Sequence, residues 1–551
     1  MATKKYDDLT KQELLRLLEA RDRRDATRFG LVWEANEVER DKALNSDFVA
    51  LDLDKELSCG PENGPWKNLI IEGDNFDALR YLRMTFAGRV KCIYIDPPYN
   101  TGNKDFIYND RFVDKEDLWR HSKWSEFMFQ RLSLAKDLLT QDGAIVISID
   151  DNEVSTLGLL MKRIFGENAF VANCVWQKRY SRENRGAIGD AHEYVVFYSP
   201  RPELFQLRRG LIPLGDKQRA VYKNPNNDPR GPWQSVSLTA QGYRPNQMYK
   251  IISPTGIEHK PPEGRCWSLT KPEYEKLLKD GEKIGDNKVG RVWFGSDGQG
   301  VPRQIYYLSE AEGLVPWTWW NHEEVGHTDE AKREIREWFG TQTAFDTPKP
   351  VRLLERVLQI ACGKNDTVLD FFAGSGTTAH AVHKLNSEDS GNRRTILVSS
   401  TEATEEEPAK NLCRDVCATR VRRVIEGYND MPGLGGDFAY LKCRRVEPSM
   451  LMEIDHEQVW IALQLTHVNS ISPLDDSAPI AVTETEDVRL IYIPHFLAKH
   501  TKQLRQAIKD VSSCIIYTWQ PALVRSKIKD AANVQIEAVP ESLARRFGIR
   551  M

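Results

Sequence analysis

The sequence predicts an α/β protein built on a largely parallel sheet, interrupted by a region of different character and followed by a smaller α/β domain. Three observations carry this. Short apolar runs end abruptly in Gly, Pro or polar residues, as strands do that are buried on both faces and open at one edge. Amphipathic stretches of helical spacing lie between those runs. From about 200 to 340 the periodicity dissolves into pieces dense in Gly, Pro, Trp and Tyr, among them Gly231-Pro-Trp233 and Pro316-Trp-Thr-Trp-Trp320.

Composition narrows the class. A chain of 551 residues is expected to form roughly two to four domains, and 40% hydrophobic with 28% charged residues is ordinary for a soluble protein. No signal region and no run of 18 apolar residues is visible. The nine cysteines are odd in number and scattered, and Cys413 and Cys417 have no second ligand pair. A reduced, cytoplasmic protein without structural zinc or membrane attachment is expected. Net charge is −4, but between Trp176 and Lys250 there are 13 Lys/Arg against 6 Asp/Glu, with ten aromatics interleaved. That suits a phosphate-facing surface; a solvated, loop-rich insertion is the plainer alternative.

In chain order, Thr10-Lys-Gln-Glu13 is a capping box before Leu14, Leu15, Leu17 and Leu18, so a helix is expected to about Arg24, for packing or dimer contact. Residues 34–66 read as a polar arm. Asn68–Ile71 is a strand ending in Glu72-Gly73-Asp74-Asn75, where Gly73 permits a sharp turn and Asp74 or Asn75 could accept from an amine. Val90–Ile95 is the next strand. It stops at Asp96, and Pro97 and Pro98 forbid continuation. The Asp96 carboxylate, the Pro97 carbonyl and the Tyr99 ring are therefore held at a strand's C-terminal edge. There they could take the two N–H donors of an exocyclic amine and stack on its base.

Residues 102–110 form a candidate lid, and Trp124 to Leu139 keep helical spacing. Ala144–Ile149 is a strand running into Asp150-Asp151-Asn152-Glu153, an acidic group better suited to a helix start than to a metal. Val175–Lys178 and Glu193–Tyr198 are strands around a Gly-containing basic loop. Phe345–Pro350 precedes a helix through Ile360. Thr367–Phe372 is a strand followed by Ala373-Gly-Ser-Gly-Thr-Thr378 and a helix, a succession that exposes backbone N–H groups. Without a third glycine or a Lys-Ser/Thr pair, phosphate is not its expected ligand. Thr395–Val398 is a strand ending near Glu402. His380 and His383 lack a third ligand for metal. Met431–Gly436 marks a boundary, beyond which Val459–Leu463, Val488–Ile493, Ser513–Thr518 and Asn533–Ala538 read as strands of an assembly or purely structural domain.

Asp96-Pro-Pro-Tyr99 resembles the catalytic motif of DNA amino-methyltransferases, and Asp370-Phe-Phe-Ala-Gly-Ser-Gly376 their S-adenosylmethionine loop. The acceptor motif precedes the cofactor loop by about 270 residues, so the chain resembles the circularly permuted β class. With Gly-Asp-Asn, Ser-Ile-Asp-Asp-Asn-Glu and Thr-Pro-Lys-Pro also present, residues 66–430 are similar to the modification subunit of type III restriction–modification systems. The resemblance implies a Rossmann-like methyltransferase sheet. Its parts would be an N-terminal helical arm (1–65), a catalytic half (66–200), an inserted target-recognition region (201–340), a cofactor-binding half (341–430) and a C-terminal α/β accessory domain (431–551).

It further implies methyl transfer from S-adenosylmethionine to adenine N6 of a flipped base in duplex DNA. Asp96, Pro97, Pro98 and Tyr99 would be catalytic. Asp74, Asn75, Lys349, Pro350, Asp370, Phe372, Ala373, Gly374, Ser375, Gly376, Thr377 and, less typically for the family, Glu402 would line the cofactor. Asn100, Lys178, Arg179, Arg182 and Arg185 would meet DNA. Cytosine N4 methylation, or a silent specificity subunit of a defence complex, are the rival readings. No Walker motif is present, so ATP-driven cleavage would belong to a separate restriction subunit; a homodimer is also expected.

Overall fold

The computed structural model describes residues 48–102, 107–108, 111–112, 120–182, 188–341, 344–405, 407–446, 455–475, 477–528 and 533–539. The capping box at Thr10–Glu13, most of the candidate lid, and Arg185 lie outside them. Two compact units are present, one of residues 211–316 and one containing the rest.

In the larger unit ten described strands form one sheet. They are β1 (Phe48–Cys59), β2 (Leu69–Glu72), β3 (Val90–Ile95), β4 (Leu139–Ile149), β5 (Phe170–Gln177), β6 (His192–Tyr198), β7 (Trp319–Trp320), β8 (Thr367–Asp370), β9 (Arg394–Ser399) and β10 (Phe438–Val446). Their order is β1-β10-β2-β9-β8-β3-β4-β6-β5-β7. From β10 through β4 every neighbour is parallel. The near-continuous apolar runs follow from helices on both faces. Ile93, Ile95, Ile145 and Leu369 point to a core shared with α1 (Asn75–Phe86), α2 (Arg120–Leu138) and α3 (Val154–Phe165). Their neighbours Cys92, Tyr94, Val146 and Val368 point the other way, to α5 (Val351–Ala361) and α6 (Thr377–Asp389), which follow α4 (Thr328–Phe339).

Three expectations need correction. The polar arm of residues 34–66 contains β1, an edge strand antiparallel to β10. Its apolar positions Leu51 and Leu53 alternate with Asp52 and Asp54, and the acids pair across the edge with Arg444 at 3.1 Å and Lys442 at 2.8 Å. β10 lies beyond residue 431, so the expected C-terminal domain gives its first strand to the main sheet. Residues 317–340 likewise belong to the larger unit, because Trp319 and Trp320 pair with Val175 and Trp176 as β7.

The smaller unit carries a four-stranded antiparallel sheet, including Trp233–Ser237 and Arg303–Tyr307. Trp267, Tyr274 and Phe294 form one small core, and Trp233, Ile305 and Tyr307 another. These aromatics are packing groups. A buried ion pair, Lys288 to Asp228 at 2.7 Å, with the Tyr307 hydroxyl on the same carboxylate, ties its strands.

The C-terminal sheet holds β11 (Ala481–Glu484), β12 (Arg489–Ile493), β13 (Cys514–Thr518) and β14 (Val534–Ala538), side by side in chain order. Val459–Leu463, expected as a strand, is the middle of the helix His456–His467. All five residues are buried there, and a helix covered all round shows no apolar stripe to tell it from a strand.

Candidate active site

The sheet changes direction between β3 and β8. β3 leads to β4 on one side and β8 to β9 on the other, while the two pair in parallel, Cys92 against Val368 and Ile93 against Leu369. Such a reversal opens a crevice beyond the C-terminal ends of the strands, where α/β sheets bind ligands. Asp96 and Asp370 therefore leave the sheet beside each other, near enough for the charge of Asp96 to act on Asp370.

At the β3 edge, Pro97 is buried and the Pro98 carbonyl accepts the Trp124 indole N–H at 2.7 Å, which fixes the loop on α2. The Asp96 carboxylate accepts the Lys349 ammonium on both oxygens, at 2.8 and 2.7 Å. The Tyr99 hydroxyl lies 2.9 Å from Asp96 Oδ1 and 3.0 Å from Glu193 Oε2. Lys349 Nζ is also 3.7 Å from Glu193, and 5.0 Å from the centre of the Tyr99 ring. Burial raises the Asp96 carboxyl, with Lys349 opposing. Burial works against the Lys349 charge too, but Asp96 and Glu193 outweigh it and hold the ammonium protonated.

Glu193 escaped the sequence reading. It is the second residue of β6, which runs antiparallel to β4, so the strand's first residues fall on the edge where β3 and β4 end. A carboxylate near the start of a strand whose remainder is aromatic and apolar was the available signal. Glu153 was also missed as a partner. It is fully buried and accepts the Asn100 amide at 2.6 Å, with His121 Nδ1 at 2.6 Å from the same oxygen.

At the β8 edge, Asp370 Oδ1 accepts the Phe372 backbone N–H at 3.0 Å and Oδ2 accepts the Thr378 hydroxyl at 2.5 Å. Burial pushes its carboxyl up to about 7. Ala373 N–H donates to the Val398 carbonyl, pinning the turn to β9. Gly374 and Gly376 have φ of 49° and 76°, and a Cβ on Gly374 would stand 2.8 Å from the Phe345 ring. Only glycine fits this cradle without strain. Ser375 and Thr377 were expected to face a cofactor, but their hydroxyls turn inward to the buried Arg420 guanidinium, at 3.1 and 2.8 Å. Arg420 also meets Glu334 at 3.4 Å, and Glu334 accepts the Val351 N–H that opens α5. These two residues brace the glycine turn against the segment carrying Lys349 and Pro350.

The Gly73-Asp74-Asn75 segment joins the same edge. Gly73 N–H donates to the Ser399 carbonyl, the Asn75 amide donates to the Phe371 carbonyl at 2.9 Å, and Asp74 caps α1 while pairing with Arg131 at 3.1 Å. Phe372 packs against Phe127, with Arg131 over the latter's ring. Glu402 fits its expected place poorly, being exposed, three residues past β9 and paired with Lys410 at 3.1 Å.

The expected DNA contacts divide. Asn100 is fully buried with a φ of 57° and cannot face a duplex in this arrangement. Lys178 is committed to Asp190 at 2.7 Å and Glu193 at 3.4 Å. Arg179 and Arg182 are exposed and line a cavity of about 320 Å³ with Tyr180 and Asp190. Among the described residues no group of His, Cys, Asp or Glu is arranged to hold a metal ion, and no helix is long and apolar enough to cross a membrane. All nine cysteines are unpaired.

Comparison with known proteins finds relatives among DNA methylases. The model of the DNA methylase family N6_N4_Mtase matches residues 90–406, more than half of the chain. The type III restriction–modification enzyme StyLTI Mod subunit of Salmonella typhimurium is 35% identical over 432 residues, covering 72% of this chain and 63% of that protein. The EcoP15I Mod subunit of Escherichia coli is 30% identical, covering 69% and 65%. The type II methyltransferase M.KpnI of Klebsiella pneumoniae is 31% identical, covering 67% and 88%. The chain thus spans just under two thirds of the type III relatives' length. With a matching family model, and a relative matched over most of its length, the chain belongs to the N6_N4_Mtase family of DNA methylases.

Proposed function

We propose that this protein methylates an exocyclic amine of a base flipped out of duplex DNA, with S-adenosylmethionine as donor, adenine N6 as acceptor, and a modification-subunit role in restriction–modification. The observation that carries this is the parallel pairing of β3 with β8, which sets a proline-stiffened carboxylate beside a glycine turn at one sheet edge. Family membership supports the reaction class, and relatives named Mod subunits support the setting.

The residues fit the donor. The positive φ of Gly374 and Gly376 lets the backbone approach a bound group closely, while Arg420 and Glu334 hold the turn from behind. When bound, S-adenosylmethionine supplies a methyl group activated on a sulfonium. The chain's own part is orientation and exclusion of water. Asp96 and the Pro97 carbonyl take the two amine hydrogens and aim the nitrogen lone pair, and Tyr99 lies against the base. Unstacking the base costs a few kcal/mol, offset by that stacking and those hydrogen bonds. Asp at the head of the motif favours adenine over cytosine. Exposure of Arg179 and Arg182 supports a role for them in phosphate contact. A separate ATP-dependent restriction subunit, a second copy of the chain and a bacterial or archaeal cytoplasm are the expected company.

The test is tritiated methyl transfer by the purified chain to duplex DNA, followed by base analysis. Label in N6-methyladenine is expected. Label in N4-methylcytosine transfers the reading to cytosine, and no label with folded, cofactor-binding protein overturns it.

A further inference from the structure

We propose that Glu193 is a positioning residue that takes over the Lys349 ammonium when a target amine enters, and that until then Lys349 keeps the amine's place on Asp96. This deepens the methyl-transfer reading and rests on it.

The Lys349 nitrogen donates to both Asp96 oxygens, at 2.8 and 2.7 Å, which is where an incoming amine must direct one of its hydrogens. Tyr99 adds a third donor on Oδ1. A carboxylate offers about four lone-pair directions in all, so these three contacts leave one, on the Oδ2 that the ammonium already holds, and the amine gains an uncontested place when the ammonium yields. Yielding to nothing would strand a cation whose side chain is 9% exposed, and an unpaired buried charge is strongly unfavourable.

Glu193 removes that obstacle. Its Oε2 already stands 3.7 Å from the ammonium, so a movement of about 1 Å gives a charge-assisted hydrogen bond. The same oxygen is 3.0 Å from the Tyr99 hydroxyl, whose single hydrogen serves one carboxylate at a time. Swinging it to Glu193 frees Asp96 Oδ1 as the ammonium leaves. Lys178, anchored on Asp190 at 2.7 Å, holds the other Glu193 oxygen at 3.4 Å and keeps the carboxylate in place.

The test uses the full chain and a duplex bearing its mapped recognition site, with adenine kept as the target and 2-aminopurine as its neighbour in the stack for emission, and an unlabelled duplex for kinetics. Glu193→Gln should raise the KM for DNA roughly tenfold, the weight of one charged hydrogen bond, and lower the emission rise. Its kcat should change far less, with affinity for S-adenosylmethionine unchanged. Glu193→Asp should recover part of the loss. Lys349→Met removes the competing ammonium, so the emission rise should persist there and Glu193→Gln should add nothing to it. Equal loss from Glu193→Gln in both backgrounds, or an unchanged KM for DNA, overturns the proposal. No emission rise with the parent chain would overturn base extrusion itself, and with it the reading on which the proposal stands.

Discussion

The main sheet and the small C-terminal sheet both contain runs of parallel strands, but of the two it is the main sheet whose strand order reverses. In the small sheet β11, β12, β13 and β14 lie side by side in chain order, so successive connections advance in one direction. Its strand residues are spent on packing. Ile491, Ile493 and Ile516 fill the core, and the Tyr492 hydroxyl is taken by His456 at 2.6 Å. In the main sheet the direction reverses between β8 and β3, and two loops from distant parts of the chain are left facing each other. A site here follows from where the chain turns back, and the residues just beyond the strands then give it chemistry.

That contrast can be broken at several depths. The largest effect is expected from Asp96→Ala, which should lower methyl transfer by about 10³-fold or more, because the amine loses its orienting acceptor. Equilibrium dialysis with S-adenosylmethionine should show cofactor binding retained, while Lys349 and Glu193 still pair. Gly374→Ala comes next. A left-handed φ costs a non-glycine residue about 1–2 kcal/mol, and the new Cβ meets Phe345. We expect the KM for S-adenosylmethionine to rise roughly tenfold in initial-rate assays, with the KM for DNA little changed.

A smaller effect concerns acidity. Burial holds Asp370 up to about 7 in the fold, against 3.8 for an ordinary aspartate. The folded state therefore binds this proton more tightly. The resulting stability is complete below the unfolded value and is lost as pH rises through about 7. Asp370→Asn does not titrate, so its Tm relative to the parent should increase between about pH 5 and pH 8 in calorimetric scans. A difference independent of pH would contradict the burial of an ionisable group there. The least effect on transfer is expected from Ile491→Ala in the small sheet. It should cost about 2–5 kcal/mol locally, seen in urea titration, and leave kcat of the folded enzyme unaltered.

Much of the site was legible because its parts are local. A proline pair after a strand, or glycines before a helix, state their geometry within a few residues. The partners were not legible, since they are chosen by contacts across the fold. Glu193 reaches Tyr99 from 94 residues away and Arg420 reaches Thr377 from 43. Asn100 looked like a surface residue by type, yet Glu153 draws it inside. β1 was hidden by its acids, which become intelligible only beside Lys442 and Arg444. The compact unit of residues 211–316 is shorter than the aperiodic stretch suggested, because Trp319 and Trp320 return to the main sheet.

A bisubstrate compound decides whether the two strand ends share one cavity. Joining adenine N6 to the sulfur position of the S-adenosyl group through a linker of methyl length makes one ligand that needs both edges. Isothermal titration should give an affinity at least about 10²-fold above that of the S-adenosyl half alone, with the gain removed by Asp96→Ala. An affinity equal to that half, and indifferent to Asp96, would put the two strand ends in separate cavities.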